Sequence, residues 1–84
     1  MNNSEKIELL GSFGIPVKED RAGFLVEIGL YNIYDRLEAV GFEYVEKGFD
    51  DDTIGFRTNG EYEISVIATN PTTVDISKLE EFHD

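Results

Sequence analysis

The sequence predicts an α+β fold, a small antiparallel sheet of about five strands with helices packed on one face, in the order α-β-β-α-β-β-β-α. Three observations carry that prediction. Apolar residues recur at helical spacing from Leu30 to Val40. Short β-branched and aromatic runs flank turn residues at Asp20-Arg21-Ala22-Gly23 and Thr58-Asn59-Gly60, the pattern of hairpins. Hydrophobic residues make up 40% and aromatics 12%, too apolar for a disordered acidic tail.

Taken in order, Ser4 can cap a short first helix, with Glu5 favourable to the dipole in its first turn. Ile7, Leu10 and Phe13 share a face, and Gly11 or Gly14 ends the helix. Ile15 to Glu19 and Phe24 to Ile28 then read as two strands. A four-residue loop pairs Val17 with Val26 and Glu19 with Phe24, which gathers the apolar side chains on one face. Pro16 cannot donate to a ladder, so the first strand belongs at a sheet edge. Leu30, Ile33, Tyr34, Leu37 and Val40 form the stripe of a second helix, stopped by Gly41.

Phe42 to Phe49 is a strand whose two faces both mix apolar and charged residues, so the pattern leaves its buried face open. Thr53 to Arg57 and Tyr62 to Thr69 follow as strands. A three-residue turn, Thr58-Asn59-Gly60, pairs Phe56 with Tyr62, Ile54 with Ile64 and Arg57 with Glu61, placing the apolar residues inward. Asn70-Pro71 ends the sheet. Thr72 to Asp84 reads as a last helix, with Ser77-Lys78-Leu79-Glu80 as its capping box.

At 84 residues the chain is one domain, 1–84. A domain this small buries only about 60% of its unfolded surface, so its core is modest. There are no cysteines, which removes disulfides and thiolate metal sites and fits the cytoplasm. No signal peptide or membrane-spanning run is expected from the pattern. A small core and an Ile67 expected to face outward allow a homodimer.

Charge is the outlier. Eighteen acids stand against seven bases, for a net charge of −11. Residues 1–42 hold 7 acids and 4 bases, whereas residues 43–84 hold 11 acids and 3 bases. Such a surface repels nucleic acid and anionic lipid and attracts basic proteins or cations. Acidity also serves solubility alone, but that does not explain the skew.

Catalysis is not expected. The one histidine is His83, near the C-terminus, so no nucleophile–base pair can be built. No phosphate-binding glycine motif and no cofactor signature occurs. Asp50 to Glu61 partly matches a calcium loop, with acids at positions one and three, Gly55 at six and Glu61 at twelve. Ile54 offers no ligand oxygen at position five, and the segment after Glu61 reads as strand rather than helix. A calcium-binding module therefore stands as an alternative, and no metal ligands are assigned.

The stronger candidate is a partner surface. Asp50, Asp51 and Asp52 fall on a loop, Glu61 and Glu63 follow the turn, and Glu43, Glu46, Glu80 and Glu81 extend the same acidic half. In type, the chain resembles the small acidic DNA-mimic inhibitors of bacteriophages, above all those that block the histone-like protein HU. The likeness lies in a short, cysteine-free, acidic α+β chain with clusters such as DDD at 50–52 and EYE at 61–63. It involves no aligned motif and transfers no individual residue role. It implies a non-enzymatic inhibitor that binds a basic DNA-binding protein and blocks its DNA binding, without touching nucleic acid itself. An immunity protein or an interaction domain without mimicry is the remaining alternative. Immunity proteins of the colicin type are helical, and this chain is not mainly helical.

Overall fold

The computed structural model describes residues 1–21, 23–46, 53–67 and 71–79. These form two helices, α1 (Asn3–Ser12) and α2 (Leu30–Ala39). The strands are β1 (Val17–Asp20), β2 (Gly23–Val26), β3 (Glu43–Val45), β4 (Thr53–Thr58), β5 (Tyr62–Ile67) and β6 (Thr73–Lys78). All six make one sheet in the order β1-β2-β6-β5-β4-β3, and every neighbouring pair is antiparallel. The α+β class is as expected, and β1 lies at an edge, as Pro16 requires.

The two helices end in the same way. Gly14 (φ 85°) follows α1 and Gly41 (φ 91°) follows α2, both in the left-handed region that glycine adopts without a Cβ penalty. The Ile15 amide donates to the Leu10 carbonyl, and the Phe42 amide to the Leu37 carbonyl. This is the Schellman arrangement, with its hydrophobic pair across the turn. Leu10, Ile15, Leu37 and Phe42 are all buried. Each helix stop therefore also drives two side chains into the core. Arg36 joins the two ends by donating from an Nη to the Gly14 carbonyl at 2.7 Å. At the other end of α1 the cap is Asn2 rather than Ser4: its Oδ1 accepts from the Glu5 amide at 2.9 Å.

The core lies between the helices and one face of the sheet. Leu10, Ile33 and Leu37 meet Phe24, Ile64, Val66, Val74 and Ile76 there. The first hairpin has the expected register, Val17 opposite Val26 and Glu19 opposite Phe24.

Two expectations are corrected. The segment from Thr73 to Lys78 is a strand, not the start of a helix, and it pairs with β5 along its length and with β2 at Val74 and Thr73. Val74 and Ile76 point to the core while Asp75 and Ser77 are exposed, a period of two that the local capping-box pattern obscures. Pairing with a strand on each side outweighs a helix start at Ser77. Pro71 accordingly separates two strands rather than ending the sheet. The sheet has six strands where about five are expected, and the sixth replaces the last helix. Residues 80–84 lie outside the described residues.

The second correction is to the β4–β5 hairpin. Thr58 pairs with Glu63, Arg57 with Ile64 and Phe56 with Ser65, across a four-residue loop from Asn59 to Tyr62. Tyr62 and Ile64 face the helices, as expected, but Phe56 faces the other way and Arg57 takes the inner position. The loop is held by side chains that register reasoning ignores. Asn59 Oδ1 accepts from the Glu61 and Tyr62 amides at 2.9 and 2.8 Å, and the Thr58 hydroxyl donates to the Tyr62 carbonyl at 2.8 Å. Gly60 sits at φ 93° between them.

Candidate functional site

The same register decides where the acids go. Glu43 pairs with Thr58, and Thr58 with Glu63, so the two glutamates share the sheet face away from the helices. One strand lies between them, which sets their backbones about 10 Å apart. Ser77 continues the row beyond Glu63. Glu61 lies in the loop at this end of the sheet, where its carbonyl accepts from the Leu79 amide at 2.9 Å. It therefore lies before β5 and not on its outer face beside Glu63. Glu46 follows β3 and is exposed. Glu43, Glu61 and Glu63 are thus brought to one end of the sheet, with Glu46 beyond the far end of β3. Asp50, Asp51, Asp52, Glu80 and Glu81 lie outside the described residues.

Lys6 Nζ and Asp75 Oδ1 form an ion pair at 3.0 Å, and the same Oδ1 accepts from the Ile76 amide. Glu38, Glu43, Glu46 and Glu61 are exposed, and none is paired with a described cation. Among the described residues no three acidic or histidine side chains converge as a metal site would need. Thr53 to Thr58, which a calcium loop would coil around its ion, lies extended in β4, and β5 follows where that motif has a helix.

On the helix side of β3 and β4 lies a feature that no sequence pattern announces. The Arg57 guanidinium is stacked between two rings, 4.4 Å from the Tyr34 centroid and 4.8 Å from that of Tyr44. Tyr34 comes from the stripe of α2. Tyr44 comes from the edge strand, directly opposite Arg57. This settles the face of β3: Tyr44 turns towards the helices, and Glu43 and Val45 turn away. Gly55 lies under the stack, where a Cβ would make ordinary contacts at 3.6 Å to Arg57 Nη1 and 3.7 Å to the Tyr34 hydroxyl. Burial pushes the Tyr34 phenol above its usual value, opposed by the Arg57 charge and aided by Tyr44. An open groove of about 430 Å³ runs beside the stack, lined by Tyr34, Glu38, Gly41, Phe42, Glu43, Tyr44 and Arg57. The missing signal was register: Arg57 becomes an inward residue only once the hairpin loop is known to have four residues.

No helix among the described residues is long and apolar enough to cross a membrane. Compared with protein-family models, curated protein sequences and solved structures, the chain matches none.

Proposed function

We propose that this protein is a non-enzymatic inhibitor that binds a basic, nucleic-acid-binding protein through its acidic surface, standing in for the DNA that the partner would otherwise hold. The observation that carries the reading is the cross-strand row Glu43–Thr58–Glu63, with Glu61 in the adjacent loop. A sheet fixes the spacing of such carboxylates, so a partner meets them without having to order them first. The net charge of −11 gives the complementary field that speeds encounter with a cationic groove. Asp50, Asp51 and Asp52 belong to the same proposed surface by sequence. No part of the reading requires the chain to touch nucleic acid.

The test is capture from a bacterial lysate on the immobilised protein, eluted with a salt gradient and repeated with Glu43→Lys/Glu63→Lys and with Asp51→Lys/Asp52→Lys. Basic DNA-binding proteins should be retained, should elute early from both variants, and should be displaced by duplex DNA. Retention of nothing basic, or retention indifferent to both charge reversals, refutes the proposal.

A further inference from the structure

We infer that the groove between the C-terminal end of α2, β3 and β4 receives one arginine side chain of the partner, with its guanidinium on the outer face of Tyr44. The inference rests on the proposed reading only for the identity of the partner.

Three features of the groove favour a cation. Its floor is reached at Gly41, just beyond the C-terminus of α2, where the carbonyl end of the helix carries partial negative charge. Glu38, one turn after Tyr34 on α2, lines it on the helix side, whereas Glu43 reaches its rim from β3 with the side chain turned to the outer face. Tyr44 supplies the aromatic surface. Arg57 lies over its ring, yet the residue remains 54% exposed, which leaves aromatic surface for a second cation.

Arg57 is the obvious objection, since it places a positive charge in the same groove. Its guanidinium is held by the two rings, and one Nη reaches back to the Phe56 carbonyl at 3.4 Å. The Glu38 carboxylate and the carbonyl end of α2 stand against that one charge. Arg57 also does two things for the incoming group. It shows that these rings accept a guanidinium at stacking distance. It also holds the Tyr44 ring in place, so the partner does not have to order it. Arginine suits the site better than lysine because its planar head can stack on the phenol and donate sideways to carboxylates together.

The probe is N-acetyl-arginine methylamide, titrated into the full chain and followed by amide chemical shifts, with the uncharged citrulline analogue as control. Saturable shifts are expected at Gly41, Phe42 and Tyr44, and none with citrulline. Tyr44→Ala and Glu38→Gln should each weaken the arginine probe about three- to fivefold, the range of one exposed cation–π or ionic contact. Glu38 is exposed on its helix, so that variant reports on the groove even if Tyr44→Ala disturbs the edge strand. Equal shifts with citrulline, shifts spread evenly over all acidic segments, or native-like titration of Glu38→Gln each overturn the inference. The two proposals fail separately. Arginine can fill the groove while the lysate yields no basic partner, and a basic partner can be captured by a protein whose groove ignores arginine.

Discussion

Replacing Ile76 and Ser77 one at a time tests the least expected element of the fold. In β6 the Ile76 side chain is 1% exposed and packs in the core, and its strand neighbour on β5 is Ile64. Truncation to alanine removes three buried carbons and leaves a cavity, which costs about 2–5 kcal/mol. A domain of 84 residues has roughly 4–13 kcal/mol in total at the usual stability per residue. Ile76→Ala should therefore move the urea midpoint down by about 1–3 M, with the slope of the transition unchanged. Ser77 is exposed on the opposite face, across from Glu63. Its hydroxyl caps nothing in a strand, so Ser77→Ala should stay within about 0.5 kcal/mol of the native protein. A helix beginning at Ser77 makes the opposite demand: the cap would be worth about 1 kcal/mol. Equilibrium unfolding in urea, followed by circular dichroism and fluorescence together, measures both. A costly Ser77→Ala beside a mild Ile76→Ala would refute the strand and its register.

Two further outcomes follow from the second hairpin and the ring stack. Asn59→Ala removes the acceptor for two loop amides and should cost about 1–2 kcal/mol in the same urea assay; a change below about 0.5 kcal/mol refutes the capping role. Tyr34 has its pKa raised above 10.0, chiefly by burial, so the folded state favours the neutral phenol. Stability from this group is intact below the unfolded pKa and is lost as pH rises through the folded one. Tyrosinate absorbance should show a late step that Tyr34→Phe removes, and that variant should unfold at higher alkaline pH than the native protein. An unchanged titration curve refutes the assignment.

The parts of the fold that rest on local chemistry were legible. Gly41 stops α2 because only glycine takes its left-handed conformation cheaply, and the stripe from Leu30 to Leu37 faces the core as helical periodicity requires. The first hairpin was legible because one loop length alone aligned its apolar residues. The second was not. A three-residue loop aligned Ile54, Phe56, Tyr62 and Ile64, and nothing local revealed that Asn59 and Thr58 could hold a four-residue loop. Nor did any local pattern reveal that Arg57 could be satisfied facing inward. Its partners are Tyr34, more than twenty residues earlier, and Tyr44, on a strand too short to show a period. The last strand was missed for a related reason. Thr73 to Lys78 alternates properly, but a capping-box pattern over its end competes with that signal, and only the gap between β2 and β5 decides for the strand. Of the candidate site, the residue types were legible, but their grouping depended on register.

The two proposed contacts meet on β3, and its geometry explains how they can be separated. Adjacent residues of a strand point to opposite faces, so Glu43 joins the outer acidic row while Tyr44 lines the groove on the helix side. A partner that wraps this edge can touch both at once. The same edge invites a different explanation, since a sheet edge is safest when it is short and charged, and β3 is three residues long, begins with Glu43 and is followed by Glu46. The explanations diverge on the sign of the charge. Protection against edge-to-edge pairing needs a charged residue of either sign, and lysine serves that purpose well. Recognition of a basic partner needs a negative one. Glu43→Lys should therefore leave the protein monodisperse while weakening capture of a basic partner, whereas Glu43→Val should keep neither property. A Lys variant that binds as tightly as the native protein would assign Glu43 to protecting the edge and leave the groove at Tyr44 to carry recognition alone.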